Sequence, residues 1–145
     1  LNNVLIDKDT HAPVCVIDLD TVMPGLSLYD FGDALRSGAN TAAEDEIDLS
    51  KVSFSLEVYE AFTKGFLSQT SHILSPAEKE LLPFSAKLMT MECGIRFLTD
   101  YLQGDVYFKI HRPQHNLDRC RTQIKLVQDM EAKMSQMNDI FRKCL

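Results

Sequence analysis

Apolar positions along the chain change period near residue 54, and that change divides the reading. Before it come two short β-branched runs, Asn3-Val4-Leu5-Ile6-Asp7 and Val14-Cys15-Val16-Ile17-Asp18-Leu19-Asp20, around the turn-rich stretch from Lys8 to Pro13. Such a pair predicts a β-hairpin with a loop of about six residues. If its partners sum to a constant 21, Asp7 faces Val14 and Asn3 faces Asp18. Residues 22–29 carry Pro24, Gly25 and Ser27 and read as a loop. Asp30 to Ser37 fits a short helix that Gly38 ends, and residues 39–53 are polar and acidic, a predicted surface excursion.

Beyond residue 54 the period is helical. Leu56, Tyr59, Phe62, Phe66 and Leu67 predict a helix over about 56–70. Ser75-Pro76-Ala77-Glu78 combines an N-cap, a proline at the first helical position and a glutamate that completes a capping box. The helix it opens should reach Gln103 and stop at Gly104, with Pro83 as a potential bend. A last helix, about 117–141, carries the stripe Leu117, Cys120, Ile124, Val127, Met130, Met134 and Met137, which reads as core packing. The fold class is therefore mainly α with a small β-hairpin. The organisation is a single domain over 1–145: a hairpin segment (1–20), a loop with a short helix (21–53) and a helical part (54–145).

Composition narrows the class. The chain has 145 residues, 45% hydrophobic and 25% charged, the usage of an ordinary folded domain. Its longest apolar runs are four or five residues, too short for a membrane span, and its first residues have no signal-peptide pattern. Leu1 opens abruptly inside apparent structure, which reads as a piece of a longer protein. The net charge of −6 is concentrated early, where residues 1–50 hold ten acids against Lys8 and Arg36. Such a segment repels a phosphate backbone, so nucleic acid is not an expected partner, whereas a divalent cation is compatible with it. Four cysteines without a CxxC pair suit reduced thiols in a cytoplasmic protein, with Cys15 and Cys120 at positions expected to be buried. His11, His72, His111 and His115 read as surface or loop residues, since Pro113 interrupts the i, i+4 pair.

Chemistry centres on the hairpin's open end. The Asn3 carbonyl beside the Asp18 carboxylate offers hard oxygen ligands of the kind magnesium takes, with Asp20, two residues on, as an additional candidate on the same strand face. Ordinary strand-end acids are the other reading, and the spacing alone leaves both open.

The strings Asn2-Asn3-Val4-Leu5-Ile6-Asp7, Val16-Ile17-Asp18-Leu19-Asp20 and Tyr29-Asp30-Phe31-Gly32-Asp33 resemble the aminoglycoside phosphotransferase and choline kinase superfamily. The longer run from Val16 to Asp33, with residues 37–46, 94–102 and 105–108, is similar to the N-acetylhexosamine 1-kinases. The resemblance implies the C-terminal lobe of a protein-kinase-like fold. It implies transfer of the ATP γ-phosphoryl group to the anomeric hydroxyl of an N-acetylhexosamine, with magnesium required. Asn3 and Asp18 would be the magnesium ligands, and Thr21, Arg96 and Tyr107 the sugar contacts. Asp30 would brace the catalytic loop, a role compatible with capping helix 30–37, and Asp33 would be structural or solvent-facing. The catalytic aspartate would fall two residues before Leu1, and the nucleotide-binding lobe would also lie outside this chain, so the fragment alone is expected to be inactive. Two alternatives stand beside this one. One is a phosphotransferase for choline or an aminoglycoside; the other is a non-catalytic helical interaction module. The absence of Trp and the presence of Arg96 favour a neutral sugar over a cationic amine.

Overall fold

The computed structural model describes residues 3–145. Strands β1 (Val4–Ile6) and β2 (Pro13–Val16) pair antiparallel, with Val4 opposite Val16 and Leu5 opposite Cys15. The predicted register is thus off by one: Asn3 faces Ile17, whose N–H donates to the Asn3 carbonyl at 2.9 Å. The turn explains the shift. The Asp7 carboxylate accepts the backbone N–H groups of Thr10 (2.7 Å) and Asp9 (3.0 Å) and the Thr10 hydroxyl, closing a tight Asx-type loop. The ladder becomes irregular just before Ile6 meets Pro13, which has no N–H to give. Every residue of β2 is exposed, so Cys15 is not the buried small hydrophobe its position predicted.

Helix α1 (Ser27–Gly38) begins three residues earlier than expected. Its N-cap is Leu26, without a side-chain cap, so Asp30 is not the cap; it lies in the first turn, where a negative charge suits the helix dipole. Phe31, Gly32 and Leu35 form its buried face. The segment 39–53 is not simply a surface excursion. Ala39, Val52 and Phe54 are buried, Asn40 bridges to Phe54, and Ser55 N–H donates to the Ala39 carbonyl at 2.8 Å. The Val52-x-Phe54 alternation puts both side chains on the face turned to the core.

Helix α2 (Leu56–Thr70) has the predicted bounds, with the Ser55 hydroxyl accepting from Val58 N–H. Helix α3 (Pro76–Leu102) opens with the full capping box between Ser75 and Glu78. Gly104, at φ 92°, lies two residues past its end, in the left-handed region that glycine adopts without cost. Helix α4 (His115–Cys144) overruns its predicted ends by two and three residues. Helix α3 is flanked by α1 and α4, and α2 packs on α4. Phe31 lies at the centre of an aromatic cluster, with ring centroids 5.1 Å from Phe66, 5.6 Å from Phe62 and 6.3 Å from Tyr59. Met130 and Met137 of the predicted stripe are wholly buried. Among the described residues, no helix is long and apolar enough to cross a membrane.

Candidate functional site

At the open end of the hairpin the Asn3 side-chain amide donates to the Asp18 carboxylate at 2.8 Å. Asp18 is the first residue beyond the ladder and takes a left-handed backbone (φ 62°, ψ 52°), a conformation Asp tolerates better than most residues. The register differs from the expected one, yet this turn still brings the two side chains together. Asp20 and Thr21 fall in the 3-10 turn Leu19–Thr21 that follows. Asp18 and Asp20 both lie beyond β2, so strand alternation does not put them on one face. Among the described residues, no three His, Cys, Asp or Glu side chains come close enough to hold a metal ion. What Asn3 and Asp18 supply is one carbonyl oxygen and one carboxylate. That set fits magnesium, which keeps water and phosphate oxygens around one or two protein ligands, and does not form an all-protein cage. Asp30 is exposed, and its carboxylate accepts no hydrogen bond from a described residue.

Arg96 and Tyr107 form a second cluster. The Arg96 guanidinium carbon lies 5.7 Å from the Tyr107 ring centre and 5.4 Å from that of Phe108, cation–π distances. The chain bends back around Gly104, where the sequence places the helix stop. The residue that holds the bend is Asp100, which the sequence reading did not single out. Its Oδ1 accepts Val106 N–H (2.9 Å) and Tyr107 N–H (2.8 Å); its Oδ2 accepts Phe108 N–H (2.9 Å) and the Asn116 amide (2.8 Å). Burial opposes the charge, but these donors outweigh it and hold the carboxyl below its ordinary value.

Arg96 stands between two clefts. One, of about 320 Å³, is lined by Thr99, Asp100, Gln103, Tyr107 and Phe108 beside it. The other, of about 530 Å³, lies between α1, α3 and α4, with Arg36, Glu92, Cys93 and Arg119 in its wall. Arg36 is held between Asp33 (2.7 Å) and Glu44 (2.9 Å), and those carboxylates keep it protonated although burial works against its charge. Burial pushes the Cys93 thiol up to about 11, so it is no thiolate nucleophile near neutral pH. Asp18 and Thr21 line neither cleft. The structure thus brings together Asn3 with Asp18 and Arg96 with Tyr107, and among the described residues neither cleft beside Arg96 is lined by Asn3 or Asp18.

His115 corrects another expectation: it is buried, not a surface residue. Its Nδ1 accepts the His111 backbone N–H at 3.1 Å, which leaves Nε2 to carry the proton and face Asp45 Oδ2 at 3.0 Å. Arg112 pairs with Asp118 and donates to the Asp45 carbonyl. These contacts fasten the acidic loop to the start of α4. A similar latch joins Asp129 and Lys133 to Ser53 and Phe54. No known protein-family model matches the chain.

Proposed function

We propose that this chain is the C-terminal lobe of a small-molecule kinase that phosphorylates the anomeric hydroxyl of an N-acetylhexosamine. The observation that carries the reading is the 2.8 Å contact between Asn3 and Asp18 at the hairpin's open end, a pair of oxygen-bearing side chains suited to magnesium. When bound, the ion would neutralise charge on the transferring phosphoryl group. In this reading the sugar oxygen attacks the γ-phosphorus, the bond to the bridging oxygen of ADP breaks, and the hydroxyl proton passes to a general-base carboxylate. Arg96, with its donors beside the Tyr107 ring, would orient the sugar and its acetamide. Thr21, which lines neither cleft beside Arg96, would contribute a hydroxyl only once the hairpin end and that cleft are brought together on the substrate. A guanidinium in this position suits a neutral substrate better than choline or an aminoglycoside.

The test is turnover of the intact enzyme with magnesium-ATP and N-acetylglucosamine or N-acetylgalactosamine. Asp18→Asn and Asn3→Ala should each lower kcat by about 100-fold or more with the fold retained. Wild-type turnover in Asp18→Asn would remove the magnesium assignment. Arg96→Ala should raise the sugar KM by about tenfold with the ATP KM little changed. Equal effects on both substrates would remove Arg96 from the sugar site.

A further inference from the structure

The outer face of α3, opposite its core contacts, carries an apolar repeat that the fold leaves open. Leu81, Leu88, Ile95 and Leu102 alternate with Phe84, Met91 and Leu98 in strict steps of three and four residues, the a and d positions of three heptads. All seven are exposed, from 38% at Leu98 to 74% at Leu102. A helix buried on one side needs only one apolar stripe, and α3 already has a buried face in Leu82, Pro83, Ala86, Gly94 and Phe97 on the core side. The second stripe runs about 30 Å at 1.5 Å per residue. Tyr29 of α1, also half exposed, adjoins Leu88 and widens it.

We propose that this seam is a self-association surface, on which the α3 helices of two copies of the chain pack in parallel as a short two-stranded coil. The 3-4 spacing requires a helix as occupant, because only a partner of similar period keeps contact with every a and d residue. Charge selects the second copy. In a parallel pair each g position meets the e position five residues on, which sets Lys87 of one copy opposite Glu92 of the other, twice by symmetry. Within the chain Lys87 donates to Glu131 at 3.3 Å and lies over the Phe84 ring of the seam, and Glu92 pairs with Arg96 at 3.7 Å, so the cross-copy pair competes with these contacts. Seven half-exposed apolar side chains bring on the order of several hundred Å² per copy, near the lower end for a specific interface. The dimer is therefore expected to dissociate on dilution. This inference is independent of the phosphotransfer reading.

Sedimentation equilibrium of the 145-residue chain tests it. The expected mass is twice 16.4 kDa at about 100 μM protein, falling toward the monomer near 1 μM. Ile95→Lys, at an exposed position, should raise the dissociation constant by about 100-fold with an unchanged circular dichroism spectrum. Lys87→Glu should raise it by about tenfold, and adding Glu92→Lys should restore it. A wild-type chain that stays monomeric at about 100 μM, or a dimer indifferent to Ile95→Lys, would overturn the proposal. A charge swap that restores nothing would overturn the parallel arrangement.

Discussion

Asp100 shows how much one side chain can decide without touching a ligand. Four donors converge on its two oxygens, three of them backbone N–H groups of the loop that carries Tyr107. Asp100→Ala should lower Tm by about 5 °C or more and release Tyr107 from Arg96, visible as a change in Tyr107 ring shifts by NMR. The pH dependence follows from the depressed carboxyl. Its stabilisation is complete above the ordinary value of 3.8 and disappears as pH falls through the lower folded value. Wild type should thus lose part of its stability below about pH 4, and the alanine variant should show a shallower acid limb in melting experiments. An acid limb unchanged by the substitution would rule this account out. None of this was legible from the sequence, because the partners are backbone groups of a loop and carry no residue signature. Arg96 and Tyr107, by contrast, were paired through the family resemblance, and the helix stop at Gly104 only allowed the chain to turn back between them. His115 was misread for a related reason: Pro113 does break the helix, but His115 is the first residue after the break and is covered by Asp45 from a loop seventy residues away.

Among the elements, the glycines of α1 and α2 set opposite expectations. A Cβ on Gly32 would come within 2.5 Å of the Ser85 carbonyl oxygen and 2.6 Å of Met89, so α1 and α3 approach through this position. This gives the Phe31-Gly32-Asp33 string a packing role: a core ring, a close approach and an ion pair to Arg36. Gly32→Ala should destabilise the protein by about 1–3 kcal/mol as the backbone shifts to make room. Gly65 lies in the exposed interior of α2 with nothing within 4 Å of its added Cβ. Gly65→Ala should therefore stabilise by about 0.8–1 kcal/mol. Urea unfolding of both variants checks the pair, and shifts of the same sign would contradict it. Helix α2 was legible from the apolar spacing of Leu56 to Leu67 and the start of α3 from its Ser75 capping box, both local signals. The hairpin register was not, because the Asp7 loop and Pro13 shift it by contacts that alternation does not encode.

At the scale of the molecule, the hairpin and the helices have unequal support. The helices share one continuous core from Phe31 to Phe141, while β2 buries nothing and Val14, Val16 and Ile17 remain exposed. The mainly helical class with a small hairpin was legible from the change of period. The hairpin's exposure was not, since Val14 to Ile17 has the pattern of a buried strand and nothing among the described residues covers it. A two-stranded ribbon without a packed face is marginal in water, so its opening should cost far less than unfolding the helical core. Hydrogen exchange separates the two. The amides of β1 and β2 should exchange on the order of 1000-fold faster than those of the buried turns of α3 and α4. Protection of Leu5 and Cys15 equal to that of Leu82 or Leu126 would mean that the hairpin unfolds only with the core, and would overturn this division. The Asn3–Asp18 contact lies on the less supported part and should open with the hairpin, whereas the Arg96–Tyr107 contact is braced by Asp100 from within the helical core.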